Sequence, residues 1–380
     1  MGKNKVIYVS PVRYPTDKAY GITVKHTMAA LEDQGFEIHI VDPNVLINQM
    51  SLTGVDARLH QQLNKIFRSG DFSRRNFYLI RLLVALISRN QFRNRTEILW
   101  TRDPLIALAI NLFRRPTHII IEIHQNPHIV DKIILRFLNF KNTIILAPIS
   151  LALHNKIENS RLKFEMDNVI LCPMGVPNEF LEAATPRAQI DCARVKVAYV
   201  GGLYSTGIDQ GIKELISLVL DLNGTSESFH FELKLFGISE SEEDELRGLF
   251  SSQIKAEVIS SERRQLHSDL IPKLLMCDIF LLPYPKGDFF NARFPLKALE
   301  YAALQRPIVA SDTPSHRNIF QEDEVFYFNL DSKENFHKAL IEAATRRDLA
   351  SRKVELAYAK ARNYSYTNRV RIIVQRIRNE

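Results

Sequence analysis

The chain has 380 residues, of which 46% are hydrophobic and 24% are charged. This length exceeds one ordinary core and, with a globular composition, indicates two domains of similar size. The three cysteines are far apart, so they predict neither a disulfide framework nor a metal site, and we expect a reducing, cytoplasmic setting. The apolar run at 6–9 is too short for a signal peptide, and the longest apolar segment, 78–87, is too short to span a bilayer.

The net charge of +7 is unevenly distributed along the chain. Residues 1–178 hold 23 Lys and Arg against 14 Asp and Glu, a net charge of +9, whereas the remainder carries −2. A basic first half favours an anionic partner, such as a membrane surface, a phosphorylated acceptor or nucleic acid. A solvated basic surface explains the charge equally well. Because no nucleic-acid-binding motif or aromatic-basic array is present, we expect no nucleic-acid partner.

Strand and helix patterns alternate through the first half. Segment 5–10 is predicted as a strand, 23–34 as a helix that ends at Gly35, and 36–43 as the next strand. Four more apolar, β-rich runs are ILWTRDP, HIIIEIHQNP, TIILAPIS and NVILCPMGVP. This order is typical of a parallel, doubly wound sheet.

After Pro177 the pattern is interrupted by a polar, proline-containing stretch, and a second series of strands and helices follows. Its predicted strands are VKVAYVGG, FHFELKLFG, KAEVIS, CDIFLLPYP and RPIVASD, with a helix at 209–222 and helices from about 332 onward. We therefore predict an α/β protein with two Rossmann-like, doubly wound domains. The N-terminal domain covers 1–178, a linker 179–194 and the C-terminal domain 195–355, and a last helix, 356–380, returns to the N-terminal domain. Ligands bind beyond the carboxyl ends of such strands, so the interdomain cleft is the predicted active site.

Segment 277–320 is the most informative, and it reads as strand, loop, helix and strand. Pro295 is predicted to begin the helix, where its missing N–H costs little, and the free N–H groups there can bind phosphate oxygens. Lys297 lies in the first turn, where a cation is unfavourable unless an anion offsets it. The carboxylate of Glu300 could accept both hydroxyls of a ribose. Taken alone, a surface lysine and a solvated helix glutamate are the simpler explanations.

This segment resembles the donor-binding signature of the family 4 glycosyltransferases, which have the two-domain GT-B fold. The matching residues are Asp278, Pro283, Leu299, Glu300, Ala303, Pro307, Ile308, Val309, Ala310, Ser311 and Asp312. The resemblance implies that Glu300 holds the donor ribose. It also implies that backbone groups near Phe294 and Leu296 approach the sugar and diphosphate, and that Lys297 lies near the diphosphate.

The signature departs from the family at three places. The first glutamate of the family's E-x7-E is Ala292 here, so Asn291 or Arg293 is the predicted substitute. The glycine that usually stands in the loop is Pro295. The glycine after the helix is replaced by the pair 305–306, Gln and Arg.

The segment VAYVGGLYSTGIDQG resembles the family's G-R-L-x-x-x-K-G, whose Arg and Lys hold the diphosphate. Gly201 and Gly202 permit close backbone approach to a ligand. However, Gly202 stands at the Arg position, and Thr206 or Gly207 stands at the Lys position. Lys297 and Arg293 are therefore the predicted replacements for the two cations.

Blocks in the first half also resemble the family. SPVRYPTDKAYGITVKHTMAALEDQG is similar to its opening strand, glycine-containing loop and helix, which would place Gly21 near the donor phosphate or the acceptor. A glycine that only permits a turn explains Gly21 equally well. LWTRDPLIAL resembles T-R-x-P-x-x-A, and IEIHQNP resembles E-x-H, which implies that His124 reaches into the cleft beside the donor sugar. A histidine at the end of an apolar strand is otherwise usually a packed core residue. Ser150 and Gly175 match further family positions.

The resemblance implies a retaining, metal-independent glycosyltransferase that moves a sugar from a UDP- or GDP-linked donor. The acceptor would be a glycan or a lipid-linked glycan on the N-terminal side, in polysaccharide or cell-envelope glycan synthesis, with no other cofactor. Charge on the leaving diphosphate would be stabilised by the helix start, Lys297 and Arg293. His124 would orient the donor sugar or stabilise developing charge.

Two alternative functions remain from the sequence. A sugar-nucleotide epimerase has the same fold, and a degenerate glycosyltransferase that only binds a nucleotide or a partner would fit Ala292, Gly202 and the missing lysine.

The stretch 74–95 is apolar with basic flanks and could contact the inner face of an anionic membrane peripherally. A core helix with charged ends is the simpler explanation of that stretch.

Overall fold

The computed structural model describes residues 4–10, 14, 19–42, 81, 97–113, 116–138, 144–160, 166–185, 190, 193–205, 207–226, 228–250, 259–291 and 294–378. The chain divides into two compact units. The first consists of Met1–Met174 together with Tyr366–Glu380, and the second is Gly175–Ser365.

The first unit contains a five-stranded parallel sheet in the order β2-β1-β3-β4-β5. Its strands are β1 (Lys5–Val9), β2 (Glu37–Val41), β3 (Glu97–Thr101), β4 (His118–Ile123) and β5 (Ile144–Pro148). The first helices are α1 (Ala19–Asp33), α2 (Pro104–Phe113), α3 (Ile129–Leu138) and α4 (Leu151–Glu158). β3 and β5 are buried along their whole length, as a parallel sheet covered on both faces requires.

The second unit contains a six-stranded parallel sheet in the order β10-β9-β6-β11-β12-β13. Its strands are β6 (Val195–Val200), β9 (Phe231–Phe236), β10 (Ile259–Glu262), β11 (Ile279–Leu282), β12 (Ile308–Ser311) and β13 (Phe326–Phe328). A short antiparallel hairpin, β7 (Tyr204–Ser205) and β8 (Ile208–Asp209), follows β6. Because the chain builds the sheet outward from β6 in one direction and from β11 in the other, the topological switch point lies between β6 and β11.

Helices cover both faces of the second sheet. They are α5 (Asn178–Glu182), α6 (Ile212–Thr225), α7 (Glu240–Phe250), α8 (His267–Leu275), α9 (Asp288–Asn291), α10 (Leu296–Ala303), α11 (Pro314–Arg317), α12 (Lys333–Thr345) and α13 (Arg347–Asn363). One core lies beneath α6 and α12, and the other lies beneath α8, α10 and α13. The prediction of two doubly wound, Rossmann-like α/β units is thus confirmed.

The last helix, α14 (Tyr366–Arg378), belongs to the first unit and packs against α1. The Arg369 guanidinium of α14 is almost fully buried there and donates to the side chain of Thr27 at 2.8 Å and to the carbonyl of Pro173 at 3.0 Å. The segment 179–194, predicted as a linker, begins inside α5, where Phe180 is buried in the core of the second unit.

Two local predictions in the first unit were wrong. Gly21 does not lie in a loop, because α1 already begins at Ala19 and buries Gly21 in its first turn. The Tyr20 hydroxyl contacts Tyr8 and Ser10, and this tertiary contact ties the first turn to β1. NVILCPMGVP forms no strand and only makes isolated bridges at positions 169 and 176, because its prolines cannot donate to a ladder.

Gln305 shows why glycine is usual at this point of the family signature. It has a φ of 54° and is the single non-glycine residue with positive φ in the described part of the chain. An L side chain is strained in this conformation, so we expect Gln305→Gly to raise the free energy of unfolding by about 1 kcal/mol. The matched control is Gln34→Gly, because Gln34 precedes Gly35 and has a negative φ. This variant should lower the free energy of unfolding by about 0.5–1 kcal/mol. Urea unfolding of both variants checks this, and destabilisation by Gln305→Gly would contradict it.

Candidate active site

The carboxyl end of β6 lies at the switch point of the second sheet and continues into Gly201 and Gly202. Gly201 has a φ of 135°, and its N–H donates to the Phe236 carbonyl at the end of the neighbouring strand β9, at 2.6 Å. A Cβ on Gly201 would overlap the Nζ of Lys297. The backbone conformation therefore favours glycine here, and the absence of a Cβ lets the lysine ammonium approach closely.

Lys297 extends from the first turn of α10 to this glycine. Its Nζ donates to the Tyr199 hydroxyl at 2.9 Å and to Oε1 of Gln210 at 3.4 Å, and it lies 4.6 Å from the centre of the Tyr199 ring. Gln210 in turn donates from Nε2 to the Gly202 carbonyl at 2.8 Å. The structure thus brings together Lys297, Gly201 and the Gly202 backbone, with the ammonium in a fixed position at the carboxyl edge of the sheet.

Glu242 of α7 lies against Gly202, which stands at the family's Arg position. Its Oε1 accepts from the N–H of Leu203 at 2.7 Å, its Oε2 accepts from the N–H of Ser239 at 2.8 Å, and a Cβ on Gly202 would lie 2.6 Å from Oε1. Burial alone would raise the pKa of Glu242, but hydrogen bonds from Ser239, Leu203 and Tyr204 lower it, so the carboxylate is charged. The loop after β6 is therefore held by this carboxylate, which takes the space of a larger side chain at position 202.

The start of α10 carries the remaining candidates of the second unit. Pro295 stands at the N-cap, one residue before the helix begins at Leu296. Phe294 packs at the edge of the core, with its ring centre 5.9 Å from that of Tyr364. Glu300 lies one turn beyond Lys297 on the half-buried side of the helix. Positions 292 and 293, including the predicted substitute Arg293, lie outside the described residues, and so does the lysine-position candidate at 206.

His316 lies in α11, which follows the carboxyl end of β12, and it is fully buried. Its Nδ1 donates to the Ser311 carbonyl at 2.8 Å, and its ring stacks on Tyr284 at 5.1 Å between centres. Burial lowers the pKa of His316 from 6.5 to about 4. The unfolded chain therefore takes up a proton before the folded protein does, so this residue contributes stability above about pH 6.5 that is lost as the pH falls toward 4.

We expect His316→Phe to remove this pH dependence while keeping the ring stack. From the shift, His316 alone should lower the wild-type free energy of unfolding by about 2 kcal/mol between about pH 7 and pH 5. Urea unfolding of wild type and variant at both pH values measures this contribution as the difference between the two slopes. Equal slopes would contradict the expectation.

In the first unit, polar side chains follow β3 at its carboxyl end. The Thr101 hydroxyl donates to the Val9 carbonyl at 2.8 Å and joins the ends of β3 and β1, which flank the switch point of this sheet. Asp103 caps α2 by accepting from the N–H of Ile106 at 3.1 Å. Between Thr101 and Asp103, the side chain of Arg102 extends toward Glu122 of β4. The Thr-Arg-Asp-Pro segment thus positions one partly buried cation at the strand ends.

Glu122, near the end of β4, accepts hydrogen bonds from four donors and is almost fully buried. Oε1 accepts from the indole of Trp100 at 2.9 Å and from Arg369 of α14 at 2.6 Å. Oε2 accepts from Arg102 at 2.8 Å and contacts Nε2 of His124 at 2.8 Å. Burial alone would raise the pKa of Glu122, but the charges of Arg369 and Arg102 and the His124 hydrogen bond hold it well below its usual range.

These contacts define the protonation state of His124. Burial of the ring, reinforced by the charge of Arg102, lowers the pKa of His124 to about 4, so the imidazole is neutral near pH 7. Because Glu122 is ionised, Nε2 must carry the proton and donate to it, which leaves Nδ1 as an acceptor. The side chain is 25% exposed at the strand end. His124 is therefore equipped to accept a hydrogen bond from a hydroxyl group.

The sequence singled out none of Tyr199, Gln210, Glu242, Glu122 or Arg369 for these roles. Glu122 had a signal, since it is the first residue of the E-x-H segment. The other four act through contacts between residues distant in sequence. Gly21 and His124 lie in the first unit, and the other described candidates lie in the second.

Within the described ranges, no group of three or more His, Cys, Asp or Glu side chains could hold a metal ion. In the same part of the chain, no helix has the length and apolar character needed to cross a bilayer.

Comparison with known proteins relates this geometry to a family. Residues 194–346 match the family described as Glycosyl transferases group 1, and no curated protein matches the chain in sequence. This match covers β6, the two glycines, Lys297 and Glu300. The predicted resemblance is confirmed at the level of this group.

Solved structures extend the likeness to the whole chain. Sucrose-phosphate synthase from Thermosynechococcus elongatus has a TM-score of 0.71 at 12% identity, covering 100% of this chain and 99% of that one. A glycosyltransferase from Rickettsia africae ESF-5 has a TM-score of 0.68 at 12% identity, with coverage of 100% and 99%. The Anabaena protein HepE, in complex with UDP and glucose, has a TM-score of 0.63 at 10% identity, with coverage of 99% and 100%.

The chain therefore has the GT-B fold of these enzymes, and its second unit carries a glycosyl transferases group 1 domain. It is a glycosyltransferase.

Proposed function

We propose that the enzyme transfers a sugar from a nucleotide-sugar donor to a glycan or lipid-linked acceptor, with retention of anomeric configuration and without a metal ion. The observation that carries the proposal is the Lys297 ammonium, fixed by Tyr199 and Gln210 beside Gly201 at the switch point. A leaving nucleoside diphosphate develops negative charge, and a preorganised cation at that point stabilises the transition state.

The donor is a UDP- or GDP-linked sugar, and it is the substrate rather than a resident cofactor. The complex of HepE with UDP and glucose supports UDP as the first candidate. We assign the ribose hydroxyls to Glu300 and the diphosphate to Lys297, the glycine pair and the backbone near Phe294 and Leu296. The N-terminus of α10 adds partial positive charge beside Lys297. Arg293 remains the proposed second cation.

His124 would orient the donor sugar by accepting from one of its hydroxyls through Nδ1. A neutral imidazole suits this role better than general acid catalysis, because the charged form is disfavoured by burial and by the charge of Arg102. The Glu122 carboxylate holds the tautomer that the role requires. Gly21 would lie near the donor phosphate or the acceptor.

We place the reaction in polysaccharide or cell-envelope glycan synthesis on the cytoplasmic side of a membrane, with peripheral contact through 74–95. Apart from Arg81, that stretch lies outside the described residues. Arg81 is buried and pairs with Asp103 and Asp131, and it donates to Asp131 at 3.0 Å.

The test is turnover of UDP- and GDP-linked sugars in EDTA with a panel of glycan acceptors, followed by nucleotide release and by NMR of the anomeric centre of the product. We expect acceptor-dependent release of one nucleotide and a product with the donor's configuration. An inverted product would contradict retention, and activity that needs a divalent ion would contradict metal independence. Conversion of the sugar nucleotide without acceptor would indicate an epimerase, and binding without turnover would indicate a degenerate enzyme.

A further inference from the structure

Helix α3 (Ile129–Leu138) is apolar on two opposite faces. Its inner face, Ile134, Leu135 and Leu138, is buried in the core of the first unit. At 100° per residue, a second set falls within an arc of about 100° on the other side. This outer face comprises Ile129, Val130, Ile133 and Phe137, whose exposure lies between 45% and 77%.

An outer face of this kind is unusual, because the solvent side of a surface helix is normally polar. The charged residues of α3 do not interrupt it. Asp131 lies on the inner side, where it accepts from Arg81 at 3.0 Å. Lys132 and Arg136 form one edge of the apolar arc, and Arg136 is exposed. The outer face is thus an apolar strip with a basic border, and α2 beside it exposes Leu112 as well.

The charge of the unit indicates what this face binds. The first unit holds 27 Lys and Arg against 15 Asp and Glu, a net charge of +12, whereas the second holds 23 against 28, a net charge of −5. Two copies paired through this face would bring like charges together. An anionic lipid surface fits both the apolar strip and the positive charge. Acyl chains would contact the apolar strip, and anionic headgroups would contact the basic border.

We propose that the outer face of α3 docks the first unit on an anionic membrane surface. The helix lies in the headgroup boundary with Ile129, Ile133 and Phe137 inserted, and Lys132 and Arg136 contact anionic headgroups. This surface consists of residues other than 74–95 and other than the proposed donor site. It places the first unit at the membrane whether or not a donor is bound.

The test is flotation of the full chain with vesicles of phosphatidylglycerol and phosphatidylcholine. The variant Ile133→Ser/Phe137→Ser should bind them about tenfold more weakly or worse, since it removes two inserted apolar side chains. Lys132→Gln/Arg136→Gln should weaken binding only to vesicles that contain phosphatidylglycerol, and the effect should shrink in high salt. The matched control Leu249→Ser/Met276→Ser changes apolar side chains that are 58% and 63% exposed in the second unit, and it should bind as the wild type does.

Four results would overturn the proposal. The wild type could fail to float with the vesicles, or the α3 variant and the control could bind equally. The α3 variant could unfold at a clearly lower temperature than the control, which would show that the face is covered by the chain itself. Finally, light scattering could show a wild-type dimer that the α3 variant dissociates, which would make a second copy the occupant. Nucleotide binding by the α3 variant is measured in parallel, so that a defect in the proposed function is recognised separately.

Discussion

Lys297→Met is expected to lower kcat/KM for the sugar-nucleotide donor by about 10²- to 10³-fold, which is typical for loss of one preorganised group that stabilises a developing charge. Methionine has a similar length and no charge, so the Gly201 loop keeps its packing while the ammonium beside it is lost. Tyr199 and Gln210 then have no cation to hold at the switch point. Steady-state kinetics with the donor identified by the turnover test measures the effect.

The matched control is Lys286→Met. Lys286 is an exposed lysine of the same unit that pairs with Asn329 and Asp331 at 3.2 and 3.3 Å, and its replacement should leave kcat/KM within about twofold. Equal activities of the two variants would show that Lys297 does not act on the diphosphate. A loss of stability in Lys297→Met comparable to its loss of activity would indicate a structural role instead.

Glu122→Gln is expected to lower the free energy of unfolding by about 3–5 kcal/mol. The carboxylate accepts from four donors with two oxygens, and a glutamine amide can serve only one of those two positions. In either orientation of the amide, one guanidinium, that of the buried Arg369 or of the partly buried Arg102, loses its acceptor, and both lose their countercharge. Urea unfolding of the full chain measures the effect.

Glu37→Gln is the control, because Glu37 and His39 form a carboxylate–histidine pair with the same spacing along a strand, at 2.6 Å, on an exposed surface. Its cost should stay below about 1 kcal/mol. Similar costs for the two variants would contradict the account of Glu122. In the Glu122 variant, 15N chemical shifts of His124 should also show that Nε2 is no longer the fixed donor.

The fold was largely predictable because a parallel sheet needs consecutive buried β-rich runs separated by helices, and this pattern is local. The failures have physical causes. The 168–177 stretch is as apolar as a strand, but its prolines, Pro173 and Pro177, prevent a ladder. β13 has only three residues, and the β7–β8 hairpin has two-residue strands. Neither is long enough to show the alternation of side chains that marks a β-strand in a sequence. The first turn of α1 is joined to β1 through the Tyr20 hydroxyl, a tertiary contact that no local pattern reveals.

The candidate site was predictable where its functional residues lie within one segment of the sequence or match a family motif. Lys297 and Gly201 were both singled out, and the structure brings them together. What the sequence could not predict was the pairing across the fold that orients them. Gly202 lacks the arginine that the family has at this position, and it leaves room for Glu242, which lies 40 positions away on α7. Arg369 is likewise a C-terminal residue whose partner on β4 becomes evident only in three dimensions.

The most direct test of the central claim is a calorimetric titration of the protein with UDP, GDP and ADP in EDTA, beside Glu300→Ala and the exposed-helix control Glu355→Ala. We predict selective binding of one nucleotide, unchanged in Glu355→Ala and weakened about 10- to 100-fold in Glu300→Ala, since the ribose loses two hydrogen bonds to a carboxylate. Absence of nucleotide binding by the wild type, or equal affinities of all three proteins, would contradict the assignment of the donor site to the second unit.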